Sequence, residues 1–80
     1  MSYHLKDIKK GILGEISKVQ EEIDELIDAK EQNCVIMEHV ELSDIYGALE
    51  ELAKNYNLEM IDLKKMSDIT KRAFKSGSRK

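Results

Sequence analysis

The sequence predicts an all-α protein, an antiparallel helical hairpin followed by a third helix, and three observations carry that expectation. Apolar residues recur at helical spacing in three stretches, without the alternation of half-buried strands. There is no proline, and the four glycines fall at 11, 14, 47 and 77, so punctuation is sparse. The breaks between the stretches are short, polar and asparagine-bearing.

Residues 1–10 lack the helical period and read as an N-terminal arm, and the Gly11 to Gly14 stretch weakens helix. Ile12, Ile16, Val19, Ile23, Leu26 and Ile27 then follow the i, i+3/i+4, i+7 rule, which predicts a first helix over 13–31. Glu31-Gln32-Asn33 is a short polar connection, and a connection this short implies an antiparallel neighbour. Val35, Leu42, Ile45, Leu49, Leu52 and Ala53 predict a second helix over 35–54. After Asn55-Tyr56-Asn57, with Asn57 as the expected cap, Met60, Leu63, Met66, Ile69, Ala73 and Phe74 predict a third over 58–75. Residues 76–80 read as a loose basic tail.

The 80 residues make a single domain, 1–80, and a domain of this size buries only about 60% of its unfolded surface. One cysteine, Cys34, excludes an internal disulfide and fits a buried small hydrophobe. A metal or oligomerisation is then the expected support. Ile36, Met37 and Val40 lie outside the apolar arc of the second helix, so that helix is apolar on two sides, which predicts cover by a second subunit. No secretory or membrane-spanning stretch is visible, so no membrane partner is expected and the location predicted is cytoplasmic.

The net charge of −3 is unevenly placed: residues 64–80 carry +6 and the remainder −9. A basic tail is the usual footprint of nucleic-acid binding, but Tyr3, Tyr46, Tyr56 and Phe74 are the only aromatics, too few for a stacking platform. Nucleic acid is therefore disfavoured against a compact anion such as a triphosphate.

Two acidic patterns carry the chemistry. Glu22-Ile23-Asp24-Glu25 is E-x-x-E and Glu41-Leu42-Ser43-Asp44 is E-x-x-D, each placing two carboxylates on one helix face, where like charges repel. In a hairpin centred on Asn33, Glu25 falls opposite Glu41 and Glu22 opposite Asp44. Glu22 and Glu41 border the apolar arcs, and Glu25 and Asp44 lie on the flank. Hard oxygen ligands suit Mg²⁺, with Mn²⁺ as the alternative, and no Cys/His cluster favours zinc. A di-iron bundle site fails because neither His4 nor His39 stands in Glu-x-x-His; both histidines read as exposed or satisfied. Glu21, Asp24, Asp28, Glu50 and Glu51 read as solvated, and Glu15 as a further acid near the site. Lys18 is the best-placed phosphate ligand, or else an ion-pair partner of Glu22; Lys71, Arg72, Lys75 and Arg79 are further cations for substrate.

The segment Lys18-Val19-Gln20-Glu21-Glu22-Ile23-Asp24-Glu25-Leu26, followed by Glu41-Leu42-Ser43-Asp44-Ile45-Tyr46, resembles the MazG-like all-α nucleotide pyrophosphohydrolases over about residues 11–75. The resemblance rests on E-x-x-E, spacer and E-x-x-D together. It implies magnesium-dependent hydrolysis of a nucleoside triphosphate to monophosphate and pyrophosphate. It also implies that Glu22, Glu25, Glu41 and Asp44 bind metal and carry catalysis, that the protein is a homodimer or homotetramer, and a bacterial or phage-infected cell as its setting. A phosphoribosyl-ATP-type pyrophosphohydrolase shares this plan. A non-enzymatic helical oligomerisation or adaptor module is the alternative of another class. The chain departs from the family in being short, without a full leading helix.

Overall fold

The computed structural model describes residues 3–78, which contain three helices and no strand: α1 (Ile16–Glu31), α2 (Val35–Lys54) and α3 (Met60–Ser76). The all-α expectation holds, as do the bounds of α2. Arg79 and Lys80 of the predicted tail lie outside the described residues.

The first helix begins at Ile16, three residues later than the period suggested. Gly14 sits at φ +93°, a left-handed value incompatible with helix, and the chain before α1 closes a turn in which Glu15 N–H donates to Ile12 O at 3.0 Å. Ser17 Oγ accepts the Ile12 N–H at 3.0 Å. Asn33 and Asn57 end α1 and α2 in the same way. Each adopts φ 57°, and the residue after each donates back to the last turn, Cys34 N–H to Ala29 O at 3.2 Å and Leu58 N–H to Ala53 O at 3.0 Å. Asn57 is therefore a helix stop. The cap of α3 is Glu59, which accepts from the backbone of Asp62 while Asp62 Oδ2 accepts the Glu59 N–H at 3.0 Å. Ser76 still belongs to α3, whose end is the left-handed Gly77.

α1 and α2 pack along the hairpin, whereas α3 touches them far less. The hairpin core is unusual. Its buried apolar side chains are Ala29, Ala48 and Ala53, and beside them are buried four acids, Glu21, Glu22, Asp28 and Glu41. The apolar arc predicted for α2 does not fill the interior of one chain: Leu42, Leu49 and Val35 are exposed, and outside the arc Ile36 is 77% exposed. Cys34 is half-buried at the start of α2. No residue of α3 is buried, and Ile61, Met66, Ile69 and Phe74 all lie open.

Two global measures agree. A compact 9.2 kDa chain exposes about 4,900 Å² by surface–mass scaling, and this one exposes 6291 Å². Its radius of gyration is 14.6 Å, against about 11.6 Å for a compact domain of its length.

Candidate metal centre

The antiparallel hairpin brings Glu22 and Glu25 on α1 against Glu41 and Asp44 on α2. One carboxylate oxygen from each of the four lies within 4.8 Å of the others. Glu41 is fully buried and Glu22 nearly so, while Glu25 is half-buried and Asp44 exposed, which gives the cluster an inner and an outer side. The Oε2 atoms of Glu22 and Glu41 are buried with no hydrogen-bond partner. Buried carboxylate oxygens without donors are costly, and a cation is the ligand that would relieve them.

The electrostatics point the same way. Burial, a hydrogen bond with Glu41 and the charges of Glu22 and Glu41 push the Glu25 carboxyl up to about 8. Burial, followed by the charges of Glu22 and Glu41, also raises Asp44. Lys18 is the cation among these acids, with Nζ 3.2 Å from Glu22 Oε1 and 3.3 Å from Glu21 Oε1. Burial works to lower its pKa, but the hydrogen bonds to Glu22 and Glu21 prevail and hold it above the ordinary lysine value.

Two acids expected to be solvated are buried because the arm binds them. Asp28 Oδ2 accepts from Leu5 N–H at 3.2 Å and Gln32 Nε2 at 2.8 Å, and lies 2.8 Å from His4 Nδ1. Burial pushes the Asp28 carboxyl up, but these partners, His4 foremost, outweigh it and hold it below the usual value. Glu21 Oε1 accepts the Gly11 N–H at 2.8 Å. Gly11 presses so closely on the α1 backbone at Ser17 that a Cβ there would collide with it.

The arm also reaches the quartet. Tyr3 Oη donates to Glu41 Oε1 at 2.8 Å, and this bond, with burial and the surrounding acids, pushes the phenol up to about 12. His4 is the functional candidate that sequence reasoning passed over: its side chain is 6% exposed, with Nε2 3.5 Å from Glu41 Oε2 and 3.8 Å from Glu25 Oε2. The available signal was chemical, a Tyr-His pair in an arm ahead of an acid-rich hairpin.

Other candidates stand apart. Glu15 is the exposed cap residue of α1. Lys71 pairs with Asp68 at 3.5 Å, and Arg72 and Lys75 are exposed on α3; no described contact brings these three to the quartet. Arg79 lies outside the described residues. Beside the centre, Leu13, Lys18, Glu22, Ser43, Asp44 and Gly47 border an open cleft of about 550 Å³. A second groove of about 560 Å³ runs between α2 and α3, bordered by Tyr46, Leu49, Met60 and Lys71 among others.

The fold and the centre define a class, an all-α protein with a four-carboxylate cluster able to hold a metal ion. No protein-family model, curated protein or solved structure matches the chain. Among the described residues, no helix is long and apolar enough to cross a membrane.

Proposed function

We propose that this protein is a magnesium-dependent nucleotide pyrophosphohydrolase of the MazG-like kind, cleaving nucleoside triphosphates to monophosphate and pyrophosphate. The observation that carries the reading is the convergence of Glu22, Glu25, Glu41 and Asp44, two of them buried with donor-less oxygens, beside an open cleft. The substrate class comes from the sequence resemblance.

In this reading Glu22 and Glu41 hold the ion from the buried side, and Glu25 and Asp44 from the open side. Bound Mg²⁺ supplies positive charge to the phosphates and acidifies the attacking water. Lys18, at the edge of the cleft, orients a phosphate oxygen by charge-assisted hydrogen bonding. The cations of α3 do not line that cleft, and in this reading they reach substrate from a second subunit. On the same reading the protein is a homodimer or homotetramer, which the surface supports: the excess over a compact chain exceeds the roughly 800 Å² per partner of a standard interface.

Pyrophosphate release from a panel of ribo- and deoxynucleoside triphosphates and phosphoribosyl-ATP, with and without Mg²⁺, tests the reading. Turnover on at least one is expected, falling to background in Glu41→Gln. No turnover on any substrate, with Mg²⁺ binding unchanged in Glu41→Gln, would sink it and leave the adaptor reading, which the exposed apolar surface favours.

A further inference from the structure

The quartet does not account for His4. A histidine brought to 6% exposure beside three acids has a specific arrangement here. Asp28, held as a carboxylate by its donors, accepts from the Nδ1 side at 2.8 Å, which fixes the ring plane and turns Nε2 toward Glu25 and Glu41. A carboxylate on one ring nitrogen and the other nitrogen facing further ligands is the arrangement that orients histidine for metal. Glu41 Oε2, fully buried and without a hydrogen-bond partner, faces that nitrogen, and His4, Glu25 and Glu41 each offer a ligand atom within 4.8 Å of the others. A cavity of about 130 Å³ opens onto His4 and Glu25 beneath the arm.

We propose that His4, Glu25 and Glu41 form a second cation subsite adjoining the quartet, one that takes a divalent first-row transition-metal ion in preference to Mg²⁺, with Asp28 as the residue that positions the imidazole. The preference follows from the ligand set: magnesium takes oxygen and water, whereas an imidazole nitrogen beside two carboxylates suits Mn²⁺, Fe²⁺ and their neighbours. The inference rests on the reading above to the extent that Glu25 and Glu41 bind cations, and adds that the arm completes the centre. The arm is tied down by Gly11 on Glu21 and by Leu5 on Asp28, so the nitrogen is held in place before an ion arrives.

The experiment uses the full chain loaded with Mn²⁺ and reads ¹⁴N modulation in the electron spin echo, which reports a directly coordinated imidazole. Nitrogen coupling is expected in the unsubstituted protein, retained in His39→Gln, since His39 is exposed on α2, and lost in His4→Gln. Asp28→Asn should weaken Mn²⁺ binding about 10- to 100-fold with less effect on Mg²⁺. Mn²⁺ bound without nitrogen coupling overturns this inference and leaves the magnesium centre standing. Coupling that survives His4→Gln overturns it as well. No binding of either ion removes the whole centre. If His4→Gln fails to fold, the spectrum of His39→Gln decides, since His4 is then the one imidazole left in the chain.

Discussion

The hairpin with its arm and the third helix are built on opposite principles. In the first region the interior is polar: four acids are buried, and Tyr3, His4, Leu5 and Gly11 reach across the sequence to hold three of them. In α3 nothing is buried, and its described ion pairs stay within a turn or so, as in Lys64–Asp68 and Lys71–Asp68. Polar groups in low dielectric are expensive unless satisfied, so the partners supplied by the arm are what let these acids lie inside. Apolar groups in water are expensive too, so α3 and the outer face of α2 are the surfaces that a second copy would cover. One region gathers carboxylates inside and the other presents apolar side chains outside.

The largest expected effect breaks the second half of that contrast. Ile36 and Ile69 are 77% and 62% exposed, and substitutions at true surface positions change stability by about 0.5 kcal/mol or less. If a second copy covers these faces, Ile36→Glu and Ile69→Glu should each cost about 2 kcal/mol or more and shift sedimentation toward monomer. A neutral result at both, with unchanged sedimentation, would mean that α3 is simply a solvated helix.

The next effect concerns the acids. A carboxyl whose pKa is raised by folding is destabilising when charged, because the folded state holds the proton more tightly than the unfolded chain. For Glu25 the penalty is absent below 4.5 and grows as pH rises to about 8, and the raised Asp44 adds in the same direction. The lowered Glu21 and Asp28 act with the opposite sign but titrate below that window. The metal-free protein should therefore lose stability between pH 4.5 and 8, on the order of a few kcal/mol in urea denaturation. Glu25→Gln should remove most of the loss. Saturating Mg²⁺ should reverse it, by about 2.7 kcal/mol at a hundredfold excess over Kd, with proton release seen by calorimetry below pH 8. A flat pH profile would mean that the acids are not coupled.

The sequence carried the helices, the pairing of the acids and the presence of an arm, but not the arm's contacts, and the reason is range. The period of Val35 to Ala53 is local, and it yields α2 to the residue. The antiparallel register across Asn33 is nearly local, and Glu22, Glu25, Glu41 and Asp44 follow from it. Tyr3 meets Glu41 across 38 positions from a segment without period, so no local rule could place it, and Asp28 and Glu21 read as solvated for the same reason. Two helix starts fall later than the period predicts because one residue's backbone overrides the pattern, Gly14 before α1 and Asn57 before α3.

A smaller effect isolates the arm. In Gly11→Ala the new methyl collides with the α1 backbone at Ser17, so the arm must lift and Glu21 loses the Gly11 N–H. Losing a partner of a buried charged group costs about 1–3 kcal/mol. Amide exchange should quicken at Leu5 and Gly11 and change little within α2. Unchanged exchange in the arm would show that it is held elsewhere.

The smallest effect returns to the contrast between the regions, through two residues of the same kind. Asn33 and Asn57 share φ 57°, a conformation that costs an ordinary L-residue about 1–2 kcal/mol and glycine almost nothing. Asn→Gly should therefore be neutral or stabilising by a few tenths of a kcal/mol at either site, and Asn→Ala should lose about 1 kcal/mol. The two alanine variants need not report equally. Asn33 joins two helices packed against each other, so its loss should appear in full in the global urea midpoint. Asn57 leads into α3, and in an isolated chain its loss should be confined to faster exchange of α3 amides. Equal losses in the global midpoint would make α3 part of the same cooperative unit as the hairpin, and since α3 has no buried residue of its own in one chain, sedimentation of the same variants would show whether a second copy supplies that coupling.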